Sequence, residues 1–210
     1  MPGFSSNPFL ILAPEHRSLL FLGATGTGPI DYYHRYWTIV SANYLHGGFL
    51  HILFNMVALR QLGDLVFREY GSHRTVIIYV LGGAVGFWIS YRAGVTFTFG
   101  ASAAVCTLIG TLIYYGISRG GTYGRAIYTQ IGGWALGIFL FGLIVPKINN
   151  WAHAGGFFIG LALGYFLGYQ ERSRENLFHK ILSGICIAVT GVVLTWAVIN
   201  GVYLRVAAGG

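Results

Sequence analysis

The chain has 210 residues, with 9% charged and 55% apolar or aromatic side chains, where soluble domains carry roughly 25% charge. That balance excludes a soluble globular domain and a disordered chain; two cysteines, Cys106 and Cys186, both in apolar runs, exclude a disulfide scaffold. Thirteen Lys and Arg against six Asp and Glu give a net charge of +7, but the cations are scattered and form no nucleic-acid-binding stripe. What remains is an all-α polytopic membrane bundle with the lipid bilayer as its surroundings. Its 32 glycines suit closely packed spans.

Residues 1–44 read as an N-terminal segment at the membrane interface. Apolar stretches at 9–12 and 19–23 are interrupted by Pro14, Glu15, His16 and Arg17, a charged cluster too costly for the centre of a span. Tyr32, Tyr33, Tyr36 and Trp37 suit the headgroup level. The start lacks a basic region followed by an apolar core, so it does not read as a signal peptide.

A helical span needs ~20 mostly apolar residues, and six stretches qualify: 45–67, 76–91, 97–118, 127–145, 151–169 and 181–203. The connectors at 68–74, 92–94, 119–125, 146–150 and 170–180 are short, so neighbouring helices pack antiparallel in one bundle. Residues 45–169 are expected to form the main helical bundle. Residues 170–210 supply a cytoplasmic loop and an additional C-terminal span. Loops after the first, third and fifth spans, counting Arg60 near a span end, hold Arg60, Arg68, Arg74, Arg119, Arg125, Arg172, Arg174 and Lys180, against Arg17, Arg35, Arg92, Lys147 and Arg205 on the other side. That bias places the N-terminal segment outside and the basic loops in the cytoplasm.

Polar side chains within hydrocarbon each ask for an explanation. The informative ones are His46, His51 and Asn55 in the first span, Ser102 in the third and His153 in the fifth. These three spans run in one direction, and all five residues lie near the outer ends, so they share a depth. Asn55 follows His51 by four residues and shares its helix face. A serine hydroxyl becomes a nucleophile when a neutral imidazole takes its proton, which requires an approach of about 2.6–3.2 Å. Small residues permit it: Gly100, Ala101, Ala103, Ala104 and Gly110 near the serine, and Gly156, Gly160, Gly164 and Gly168 on every fourth position after the histidine. None of the six acids stands beside them, so the pattern is a dyad without a carboxylate. Asn55, His51 and the backbone N–H of Ser102 are candidate oxyanion donors.

Taken singly, each residue is ordinary. An intramembrane serine usually bonds to a carbonyl one turn back, an asparagine can cross-link two helices, and a glycine face commonly serves packing alone. The combination is what resembles a known family. His51-Ile52-Leu53-Phe54-Asn55, Gly100-Ala101-Ser102-Ala103 and Ala152-His153-Ala154-Gly155-Gly156 with Gly160 are similar, in order, to the H-x-x-x-N, G-x-S-G and A-H-x-x-G-x-x-x-G motifs of rhomboid intramembrane serine proteases. Leu45-His46-Gly47-Gly48-Phe49-Leu50-His51 resembles the entry to that family's second core helix.

The resemblance spans about residues 15–169 and implies Ser102 as nucleophile, His153 as base, and His51 and Asn55 as oxyanion stabilisers. It also implies transmembrane proteins as substrates and no cofactor or metal. A multi-pass protein of a bacterial inner membrane is the expected setting. The departures are Ala103 where glycine is usual, Cys106 where an aromatic ring is usual, and Trp37-Thr38 for a Trp-Arg pair. A first core helix is also missing, for which N-terminal truncation is favoured over residues 8–23 as a degenerate substitute. The competing readings are an inactive relative that binds transmembrane segments, a transporter, and a zinc protein using His46, His51 and His153. The last two lack, respectively, mid-membrane acids and a completed ligand shell.

Overall fold

The computed structural model describes residues 13–145 and 148–207; the apolar stretch 9–12, Pro146 and Lys147 lie outside the described residues. Two short helices, α1 (His16–Phe21) and α2 (Thr38–Ser41), precede six long ones: α3 (Phe49–Tyr70), α4 (Ser72–Arg92), α5 (Ser102–Arg119), α6 (Gly121–Ile144), α7 (Asn150–Leu167) and α8 (Leu177–Ala207). Each long helix occupies one of the six apolar stretches. Four of them, α3, α4, α6 and α8, are long and apolar enough to cross a membrane. The chain is an integral membrane protein built as a helical bundle.

Helix α5 is the axis of the bundle, with 13 of its 18 residues buried. Without a hydrophobic drive between spans in lipid, close backbone approach has to hold them together. Glycines provide it. A Cβ on Gly156 would strike the Ala103 carbonyl, one on Gly160 the Thr107 carbonyl, and one on Gly110 the Phe157 carbonyl. Thr111 Oγ1 then donates across the seam to the Gly160 carbonyl at 3.0 Å. The predicted glycine face therefore meets α5 through Gly156, Gly160 and Gly164. Gly168 departs from it: with φ +67° it ends α7 in the left-handed region instead of continuing the face.

The helix starts differ from the hydropathy reading for local reasons. Helix α5 begins at Ser102 and not near 97, because Thr98 exchanges backbone hydrogen bonds with Thr25 (2.9 and 2.8 Å) and Gly100 turns at φ +123°. Residues 45–48 precede α3 as a loop. Helix α4 starts at Ser72, earlier than expected, and so takes His73 and Arg74 out of the connector and into its first turn.

Arg74 is not a loop cation. It is fully buried and all five of its guanidinium N–H groups have acceptors: His179 Nε2, the Tyr70, Ser173 and Arg174 carbonyls, and Ser173 Oγ. Its backbone N–H donates to Glu175 at 2.9 Å, and His73 Nδ1 lies 2.9 Å from Ser183 Oγ. This clasp holds the start of α8 to α4, while further along Gly201 packs beside Leu22. A tyrosine cluster, Tyr70, Tyr115 and Tyr169, fills the same end of the core with ring centroids 4.9–6.2 Å apart.

Candidate active site

Helices α3, α5 and α7 run parallel, so their first turns meet at the end of the bundle away from the Arg74 clasp. Ser102 opens α5 and His153 lies in the first turn of α7. The structure brings them together: His153 Nε2 is 2.8 Å from Ser102 Oγ. Both residues are half-buried. The other imidazole nitrogen, Nδ1 of His153, is buried and has no partner among the described residues. Among the described residues no carboxylate orients this ring. The arrangement is a two-member pair in which the hydroxyl has one basic nitrogen to turn to.

His51 stands on the other side of the serine. The Gly47 backbone N–H donates to its Nδ1 at 3.1 Å, so the neutral ring carries its hydrogen on Nε2. That Nε2 lies only 2.7 Å from where a Cβ on Gly100 would sit, and the same point is 3.9 Å from Ser102 Oγ. Gly100 is therefore required twice, for its positive φ and for the space that His51 fills. Asn55 is buried, and its Nδ2 donates to the His51 carbonyl at 2.8 Å. One amide hydrogen is thus engaged on its own helix and the second is left over. Asn55 makes no hydrogen bond to Ser102 or His153.

His46 packs edge-on against His51, with ring centroids 5.2 Å apart, in the loop ahead of α3. Burial, reinforced by the neighbouring His51, pushes its pKa down to about 4. Among the described residues no three or more His, Cys, Asp or Glu side chains group to hold a metal ion.

Ala103 finds its place in the packing. It is fully buried in a cluster with Ala42, Phe87 and Ala152, and a Cβ on Gly86 of α4 would come within 3.2 Å of its methyl. The extra carbon is accommodated by a glycine on the neighbouring helix. Cys106 is buried and unpaired. Sequence reasoning missed Gly86, and it missed Asn149, which caps α7 by accepting from the Ala152 N–H at 3.0 Å. An asparagine just before a helical apolar run was the available signal.

A membrane-embedded helical bundle with a serine and a histidine paired at the meeting of three helix starts defines the class. The Rhomboid domain matches residues 33–170 of the chain. RHOMBOID-like protein 7 of Arabidopsis thaliana is 31% identical over 168 residues, 78% of this chain and 52% of that protein. RHOMBOID-like protein 5 of the same plant is 32% identical over 167 residues, 75% of this chain and 52% of its own length. Rhomboid protease GluP of Bacillus subtilis is 35% identical over 157 residues, 75% of this chain and 31% of that protein. The chain belongs to the rhomboid family. It spans about half the length of the curated plant relatives it matches.

Proposed function

We propose that this protein is an intramembrane serine endopeptidase that cleaves peptide bonds in or near the transmembrane segments of other membrane proteins. One observation carries the reading: the 2.8 Å contact between Ser102 Oγ and His153 Nε2, made across two helices that glycines draw together. Ser102 Oγ adds to the scissile carbonyl while its proton passes to His153 Nε2. The oxygen of the tetrahedral intermediate takes hydrogen bonds from backbone N–H at the start of α5, from His51 Nε2–H and from the remaining amide hydrogen of Asn55. Collapse breaks the C–N bond, and His153 gives its proton to the leaving amine. Water then adds to the acyl-enzyme, passing a proton to His153, and the acid product leaves as the proton returns to Ser102.

The half-burial of both residues supports access by water. Residues 45–169 act as the catalytic bundle in this reading, residues 1–44 as its outer rim and residues 170–210 as an appended helix. The basic residues gathered at the far end support a site facing away from the cytoplasm. We place the protein in a bacterial cell membrane on the strength of the Bacillus relative; the plant relatives make a eukaryotic membrane the alternative.

A second reading, a rhomboid relative that binds transmembrane segments without cutting them, is favoured only by Ala103. A fluorophosphonate probe separates the two. Labelling of the wild type that disappears in Ser102→Ala and His153→Ala supports the enzyme; an unlabelled, folded wild type supports the binder.

A further inference from the structure

The histidine of the pair is carried by the first turn of α7, which two side chains hold: Asn150 Nδ2 donates to the Gly142 carbonyl of α6 at 2.9 Å, and Asn149 caps the helix start. Asn149 Oδ1 accepts from the Ala152 N–H at 3.0 Å, which fixes the amide orientation, since only the oxygen can accept. Its Nδ2 then points both hydrogens at hydroxyls: Ser90 Oγ at 2.6 Å and Thr98 Oγ1 at 2.9 Å. Every hydrogen of the amide is used.

The two acceptors belong to different parts of the fold. Ser90 is fully buried near the end of α4. Thr98 belongs to the loop that delivers Ser102, where its backbone is paired with Thr25. Two residues on, Gly100 N–H donates to the Ala42 carbonyl at 2.8 Å. One side chain therefore joins the helix start that bears the base to the loop that aims the nucleophile. The cap itself needs none of this reach, because a serine or aspartate caps a helix about as well as asparagine.

We propose that Asn149 is a positioning residue for the reaction, bracing the His153 turn of α7 against Ser90 and Thr98 so that Nε2 is held at the Ser102 hydroxyl. This rests on the protease reading above. The test uses the full chain in detergent micelles, with fluorophosphonate labelling rates and turnover of a fluorogenic transmembrane peptide. Asn149→Ser keeps a cap but is too short to reach either hydroxyl. It is expected to lower kcat and the labelling rate about 10–100-fold, the scale of an ångström-size misplacement, with KM and the melting temperature close to wild type. Asn149→Asp restores the reach, because both hydroxyls can turn and donate to its carboxylate, and it is expected to recover most of the rate.

The double variant Ser90→Ala, Thr98→Val should reproduce the serine variant's loss, and adding Asn149→Ser to it should cost nothing further. A serine variant with wild-type kcat, or one changed only in KM, overturns the proposal, as does an aspartate variant no faster than the serine. An unlabelled wild type overturns the protease reading and this inference together. A labelled wild type with an equally labelled Asn149→Ser overturns only the brace.

Discussion

Arg74 at one end of the bundle and His153 at the other use their polar atoms in opposite ways. At the clasp, Arg74 is fully buried with an acceptor for each of its five N–H groups. At the other end, His153 keeps one nitrogen without a partner among the described residues and places the other on a half-buried hydroxyl. A saturated polar network has no capacity left for chemistry and acts as a fastener. An unsaturated one, held open by surrounding structure, has a nitrogen and a hydroxyl to offer to something that arrives. The difference between fastener and reactive site is thus readable from valence, not from residue type, since both ends use histidine and serine.

The contrast breaks most easily at its reactive end. Ser102→Ala and His153→Ala are each expected to abolish peptide turnover, by on the order of 10⁶-fold for members of a nucleophile–base unit, with melting temperatures close to wild type. Retained cleavage in either purified variant would end the comparison. Asn55→Ala should slow turnover by roughly 10²–10³-fold, the cost of one oxyanion donor, measured as kcat with transmembrane peptide.

At the fastened end the opposite signature is expected. Arg74→Ala should destabilise the folded chain by about 3–5 kcal/mol, read by thermal melting in detergent, while the labelling rate of the molecules still folded stays at wild type. A fall in labelling rate without a fall in stability would show that the two ends are coupled. Gly156→Ala joins the two cases. Its methyl meets the Ala103 carbonyl, so stability should drop by about 1–3 kcal/mol and labelling should slow as well.

The smallest effect is that of pH. The folded-state pKa of His46 lies below its ordinary 6.5, at about 4, so its contribution is complete above about pH 6.5 and is lost as pH falls toward 4. The acid-side decline in melting temperature over that window should be shallower in His46→Gln.

The helices were legible because each is a long apolar run, and the candidate site was legible because Ser102, His153, His51 and Asn55 fall near the same ends of alternate spans. The glycine seam could be read from its four-residue spacing as far as Gly164, but nothing in that spacing marks Gly168 as a terminator. Arg74 looked like a loop cation because its acceptors, Ser173, Arg174 and His179, lie 99–105 residues further along the chain. The pairing of Thr25 with Thr98 uses backbone groups that every residue carries, so no side-chain pattern announces it. Ala103 reads only as a departure from the motif, because the glycine that makes room for its methyl, Gly86, stands on another helix.

Gly100 has one more consequence. The place where its side chain would begin is already taken by the ring of His51, 2.7 Å away. A single added methyl group there displaces the imidazole and strains the turn that delivers Ser102, while the Arg74 clasp at the far end is left untouched. The cost of one carbon atom falls on the serine's surroundings before it falls on the fastening of the bundle.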